Sequence, residues 1–185
     1  MGGDEFMRLP RTFVGFSSTD ILQYRLMLAW KAKENIDFDF YNCQLSNEIN
    51  SDDEDYIKRK CKERINLAKT YIMLIGKDTR LKNKYVKWEA EVALEKRCRI
   101  IGVNLDGWRR MNDGTCPRVI KNVGAMFVPY SAQIVAHALK HTEYRTSGDW
   151  EFLDQTYLDL RYAIVGNRAE YRPASTILAK WWNAR

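Results

Sequence analysis

Thr70-Tyr-Ile-Met-Leu-Ile-Gly76, a polar turn of Lys77, Asp78, Thr79 and Arg80, an amphipathic run from about Tyr85 to Arg97, and Arg99-Ile-Ile-Gly-Val-Asn-Leu105 follow one another without interruption. Two short apolar runs flanking an amphipathic helix are the pattern of a strand-helix-strand unit whose strands are parallel and covered on both faces. Glu89 falls in the first half of the helix, just beyond the carboxyl end of the first strand. In open α/β sheets that edge is where ligands bind.

The same alternation extends outward from this block. Arg11-Thr-Phe-Val-Gly-Phe16 reads as a first strand, and the Ser17-Ser-Thr-Asp20 cluster supplies a turn and a helix N-cap. A helix is expected from about Ile21 to Lys33, with Ile21, Tyr24, Leu28 and Leu22, Leu26, Ala29 spaced as its apolar face. Ile36-Asp-Phe-Asp-Phe40 alternates apolar and acidic residues, as an edge strand does. After a polar loop from Tyr41, a second helix is expected over about residues 54 to 68, burying Ile57, Cys61, Ile65 and Ala68. Asp106 to Asn122 reads as a long loop, Ala125-Met-Phe-Val-Pro129 as a last strand, and Ser131 as the cap of a helix ending near His141.

Five strands alternating with helices predict a doubly wound, flavodoxin-like α/β domain with a parallel sheet in the order 2-1-3-4-5, spanning residues 11 to 141. Met1 to Pro10 carry no periodic pattern and are read as a disordered terminus. From residue 142 the pattern restarts with Trp150, Phe152, Leu153, Tyr157 and Leu158 and ends in Ile177-Leu-Ala-Lys-Trp-Trp182. That segment, 142 to 185, is expected to be a helical extension whose aromatics pack on the domain or on another subunit.

Composition narrows the function classes. An apolar share of 45% and a charged share of 29% in 185 residues can bury a real core, which excludes disorder as the default. The net charge of +6 favours anionic ligands, but basic and acidic residues are interleaved, so a nucleotide fits as well as a nucleic acid. No stretch has the length of a membrane span or signal peptide, so a cytoplasmic location is expected. Cys43, Cys61, Cys98 and Cys116 form no Cys-x-x-Cys pair and read as reduced structural thiols. His137 and His141 share a helix face, yet a metal site needs a third ligand that the sequence does not supply. There is no glycine-rich phosphate fingerprint after the first strand and no Gly-x-Ser-x-Gly elbow. A response-regulator reading requires an acidic residue where this chain has Gly76.

Phe13-Val-Gly-Phe-Ser-Ser-Thr-Asp20, Ile57 to Ile65, Tyr71-Ile-Met-Leu-Ile-Gly-Lys-Asp-Thr79, Tyr85-Val-Lys-Trp-Glu-Ala90 and Ile100-Ile-Gly-Val-Asn104 resemble, in order, the successive motifs of the TIR-like family. The resemblance is nearer to the bacterial branch that includes the TIR-like subunit of Thoeris antiphage systems, and it covers about residues 11 to 140. It implies a TIR-like fold and, in enzymatic members, cleavage of the nicotinamide-ribose bond of NAD, here a substrate and not a cofactor. The product implied is a cyclic or modified ADP-ribose that activates a separate effector after phage infection. Candidate partners are therefore NAD, a phage-derived activator, the effector reached through the product, and a second copy of the chain, with neither membrane nor nucleic acid among them. Glu89 matches the family's catalytic glutamate. Tyr85 stands where the family usually has tryptophan, and Gly15 where many members have serine, so the hydroxyls near the site are expected from Ser17 and Ser18.

The chemistry makes sense of these residues independently. Breaking an N-glycosidic bond builds positive charge on the ribose, so a nearby carboxylate stabilises the transition state more than the ground state. Phe16, Tyr41 and Tyr85 offer flat surfaces to the substrate rings, and Lys77 or Arg80 a cation to the pyrophosphate. Ser17, Asp20 and Asn42 complete the expected substrate-contacting set. The alternative is a non-catalytic TIR-like module that binds other proteins, in which Glu89 is an ordinary solvated residue of an amphipathic helix.

Overall fold

Every residue of Thr70–Ile75 is buried, so this segment needs apolar cover on both faces, and the fold supplies it. A computed structural model describes residues 11–31, 54–81 and 84–172. Strand β1 (Thr12–Gly15) leads through a turn of 3-10 helix into α1 (Ile21–Lys31). Then come α2 (Glu54–Ile65), β2 (Thr70–Ile75), α3 (Lys84–Glu95), β3 (Arg99–Asn104), β4 (Met126–Pro129) and α4 (Ala132–His141). These four strands form one parallel sheet in the order β1-β2-β3-β4, with Gly15 opposite Met73 and Ile75 opposite Asn104.

Alternation along the strands sorts the core into two layers. Val14, Ile72, Leu74, Ile101, Val103, Met126 and Val128 face α1 and α4. Phe13, Tyr71, Met73, Ile75, Ile100 and Phe127 face α2 and α3. The strand-helix-strand reading of residues 70 to 105 is therefore the observed one. The expected strand at 36 to 40 lies outside the described residues, and the four described strands occupy the remaining places of the expected order.

Two expectations need correction. On α1 the buried residues are Tyr24, Met27 and Trp30, whereas Leu22 and Leu26 are exposed at 68% and 51%. Large rings decide the helix's rotation: Tyr24 stacks on Phe16 at 4.5 Å and Trp30 leans on Tyr130 at 4.7 Å. Aromatic burial outweighs that of the shorter leucines.

The segment after residue 141 is also not mainly helical where it is described. It holds one short helix, α5 (Asp154–Asp159), and an antiparallel hairpin of β5 (Tyr162–Val165) and β6 (Arg168–Tyr171). The apolar spacing suited a helix, but Gly166 at φ 58° makes a tight turn, and the strands pair across it. Nor does the segment stand apart from the domain. The Asp149 carboxylate accepts the backbone N–H groups of Asn122, Val123 and Ala125 at 2.6, 3.1 and 3.0 Å. Trp150 then bridges to Met126, and its backbone bonds those of Ala125 and Phe127. Phe152, Tyr157 and Tyr162 fill the core layer over α4. The fold-back alternative thus holds for the described aromatics, while Trp181 and Trp182 lie outside the described residues.

Tyr157 is fully buried and its hydroxyl donates to the Arg109 carbonyl at 3.3 Å. Tyr157→Ala is expected to cost about 3–5 kcal/mol, the usual range for a buried aromatic truncated to alanine. Equilibrium denaturation in urea measures it. A loss below about 1 kcal/mol would detach the extension from the core of the domain.

Candidate active site

Helix α3 buries Val86, Ala90 and Ala93. Glu89 lies three residues after the first of these and four before the last, so it shares their face and turns toward the sheet. The residue is half-buried, and its carboxyl group meets the sheet where β1 ends. A Cβ on Gly15, the last residue of β1, would lie only 2.7 Å from Glu89 Oε2 and 2.2 Å from the Tyr71 hydroxyl oxygen. Glycine at this position is what lets both oxygens approach the backbone. From α2, the Cys61 thiol donates to Glu89 Oε1 at 3.9 Å.

This enclosure sets the electrostatics. Burial raises the Glu89 carboxyl to about 8, tempered by the Cys61 thiol. Tyr71 is held well above its ordinary value by burial, and the neighbouring Glu89 charge adds to the effect. A titratable carboxyl with a strongly displaced pKa, at the ligand-binding edge of an α/β sheet, has the properties of a functional group.

The other expected site residues divide into four groups. Asp20 and Lys77 line a cleft of about 510 Å³ with Gly76, Asp78 and Asp106, at the carboxyl ends of β2 and β3. Asp20 is buried, its carboxyl raised chiefly by desolvation and steadied by the Thr79 hydroxyl at 3.3 Å. Tyr85, 45% exposed, lines a separate cleft of about 490 Å³ between α2 and α3 with Arg59, Lys62 and Trp88. Cys61 also lines this second cleft, so one residue touches both it and the Glu89 carboxyl. Phe16 is packed on Tyr24, and the buried Ser17 hydroxyl accepts from Thr19 at 3.0 Å. Tyr41 and Asn42 lie outside the described residues.

Expectation and structure differ on the hydroxyl. The hydroxyl that the structure places over Gly15 beside Glu89 is that of Tyr71, which stands in the space that a side chain at position 15 would take, while the Ser17 hydroxyl accepts from Thr19. Sequence reasoning also passed over Cys61 as a site residue. Neither signal is local, since Tyr71 and Gly15 are 56 positions apart and meet only through strand register. His137 and His141 stack at 4.2 Å, and among the described residues no group of three or more His, Cys, Asp or Glu has metal-binding geometry.

A family model described as Thoeris protein ThsB, TIR-like domain, matches residues 13–110. The chain belongs to that family. The match runs from β1 past β3 and so includes Gly15, Cys61, Tyr71 and Glu89. It ties this TIR-like domain to Thoeris antiphage defence. No curated protein matches the chain. Among the described residues, no helix is long and apolar enough to cross a membrane.

The raised carboxyl has a thermodynamic consequence. The folded state keeps its proton to about 8 whereas an ordinary glutamate loses it near 4.5, so this contribution to stability is complete below 4.5 and is lost as pH rises toward 8. Glu89→Gln removes the titration. Its unfolding free energy should therefore gain on the parent's by roughly 1–3 kcal/mol between about pH 5 and about pH 8, after allowance for partial solvent access. Urea melts of both proteins across that range give the difference. Parallel curves would show Glu89 to be an ordinary solvated carboxylate.

Proposed function

We propose that this TIR-like domain cleaves the nicotinamide-ribose bond of NAD and releases a cyclic or modified ADP-ribose as a defence signal. The observation that carries the reading is the Glu89 carboxyl packed over the last residue of β1, within the part of the chain that the family match covers.

In the reaction, the bond between ribose C1 and the pyridinium nitrogen breaks. Its electron pair moves into the ring, which departs as neutral nicotinamide, and the positive charge passes to the ribose. A Glu89 carboxylate facing that charge favours the transition state over the bound substrate. Capture by water yields ADP-ribose and a proton; capture by a nucleophilic atom of the same molecule closes a ring. Tyr85 supplies a ring surface beside the α2–α3 cleft, and Lys77 a cation at the sheet edge.

Glu89 must be ionised for this role, and in the free protein it holds its proton up to about 8. The pyridinium charge of the substrate favours the carboxylate, so binding is coupled to loss of that proton. It follows that kcat/KM should fall about tenfold for each pH unit below about 8, because kcat/KM reports the free protein's titration. Glu89→Gln should lower nicotinamide release by about 10²–10⁴-fold while leaving NAD affinity largely intact. Tyr85→Ala should raise KM, and Tyr85→Trp should be tolerated. Nicotinamide release, measured chromatographically under conditions where the parent is active, tests all three. A folded Glu89→Gln protein with the parental rate would make the interaction module the better account, with the exposed Leu22 and Leu26 of α1 as its first candidate surface.

A further inference from the structure

The Tyr71 hydroxyl is an unusual group in this core. The residue is fully buried, yet its hydroxyl has no hydrogen-bond partner among the described residues. Leaving such a group unsatisfied costs about 1–3 kcal/mol, and phenylalanine would fill the same space without that cost. The hydroxyl is not stranded at random. It lies 2.2 Å, and Glu89 Oε2 2.7 Å, from the point where a Gly15 Cβ would stand, so the two oxygens are separated by at most the sum of these lengths. A side chain at position 15 and a hydroxyl at position 71 exclude each other. The glycine thus opens a passage from β2 to the carboxyl group on α3.

We propose that Tyr71 is a positioning residue for Glu89, its hydroxyl reaching through the space left open at Gly15 to donate a hydrogen bond to the carboxylate once that group ionises. A neutral carboxyl gains less from this donor than an ionised one does. An ionised one, enclosed by Gly15 from β1, Tyr71 from β2 and Cys61 from α2, has the phenol as its strongest neutral donor among these groups. Among the described residues, the titratable groups that face the carboxyl from the packed elements are Cys61 and Tyr71, and neither carries a positive charge. The hydroxyl therefore does two things. It holds one carboxylate oxygen in place, and it makes the ionised form accessible in a site otherwise hostile to charge.

The proposal rests on the NAD-cleaving reading only in its kinetic arm, so the deciding experiment does not use activity. Glutamate carbons are labelled with ¹³C in the full chain, the Glu89 signal is assigned by its absence in Glu89→Gln, and its titration is followed in the parent and in Tyr71→Phe. Loss of a hydrogen bond to a charged group should move the midpoint up by about one to two pH units. A ring that served only as packing would alter the melting temperature and leave the midpoint where it was. An unmoved or lowered midpoint in folded Tyr71→Phe overturns the proposal. Should that variant fail to fold, the reciprocal measurement decides: ultraviolet titration of Tyr71 in Glu89→Gln should show the phenol ionising at lower pH than in the parent, and an unchanged phenol titration overturns the proposal equally. In the kinetic arm, Tyr71→Phe should shift the acidic limb of kcat/KM upward by the same amount with KM for NAD unchanged. A shifted carboxyl titration in a parent that cleaves no NAD would sink the function and leave the positioning role intact.

Discussion

The constraint on which the rest of this structure depends is the complete burial of β2. Every residue of Thr70–Ile75 is buried, so its backbone groups must be paired by β1 and β3 and both of its faces covered. One face takes α1, α4 and the returning segment through Phe152, Tyr157 and Tyr162; the other takes α2 and α3. Because parallel strands need long crossovers, covering the faces and connecting the strands are one requirement. The arrangement brings the carboxyl ends of β1, β2, β3 and β4 to a single edge, where Ile75 pairs with Asn104 and Gly15 with Met73.

At that edge the fold departs from the rule of apolar burial. Glu89 occupies a half-buried place on α3 that packing alone would give to leucine or methionine, and its carboxyl is packed against backbone and a phenol. Such a group lowers stability at neutral pH. Sites that need a reactive charge commonly carry a local penalty of this kind, offset by stability elsewhere in the domain. Here the offset lies in the doubly covered sheet and in the Asp149 clamp, which fastens the turn before β4 with three hydrogen bonds.

Much of this was legible in the residues. The alternation of apolar runs and amphipathic helices over 70 to 105 specifies a parallel, two-sided sheet, because only such a strand tolerates apolar residues on both faces. Glu89 could be placed on its helix and near the ligand edge by counting alone, and the motif order pointed to the family that the matched region supports. The rotation of α1 was not legible, since Leu22 and Leu26 fit the helical period as well as Met27 and Trp30 do. Nor was the hairpin after α5, where short apolar segments suit either a helix or a strand until a partner is present.

What the sequence by itself determined is the periodicity of the block from 70 to 105: which of its segments become strands, which becomes a helix, and that the strands are covered on both faces. Tertiary structure alone decided the meeting of Gly15, Tyr71, Cys61 and Glu89, four residues carried by four different elements. The physical reason is that periodicity is a property of one segment, whereas an enclosed carboxyl is produced by register between segments. Gly15 is a gap for the Tyr71 ring only because β1 pairs with β2 in this register, and a shift of one residue would turn the ring to the opposite face of the sheet.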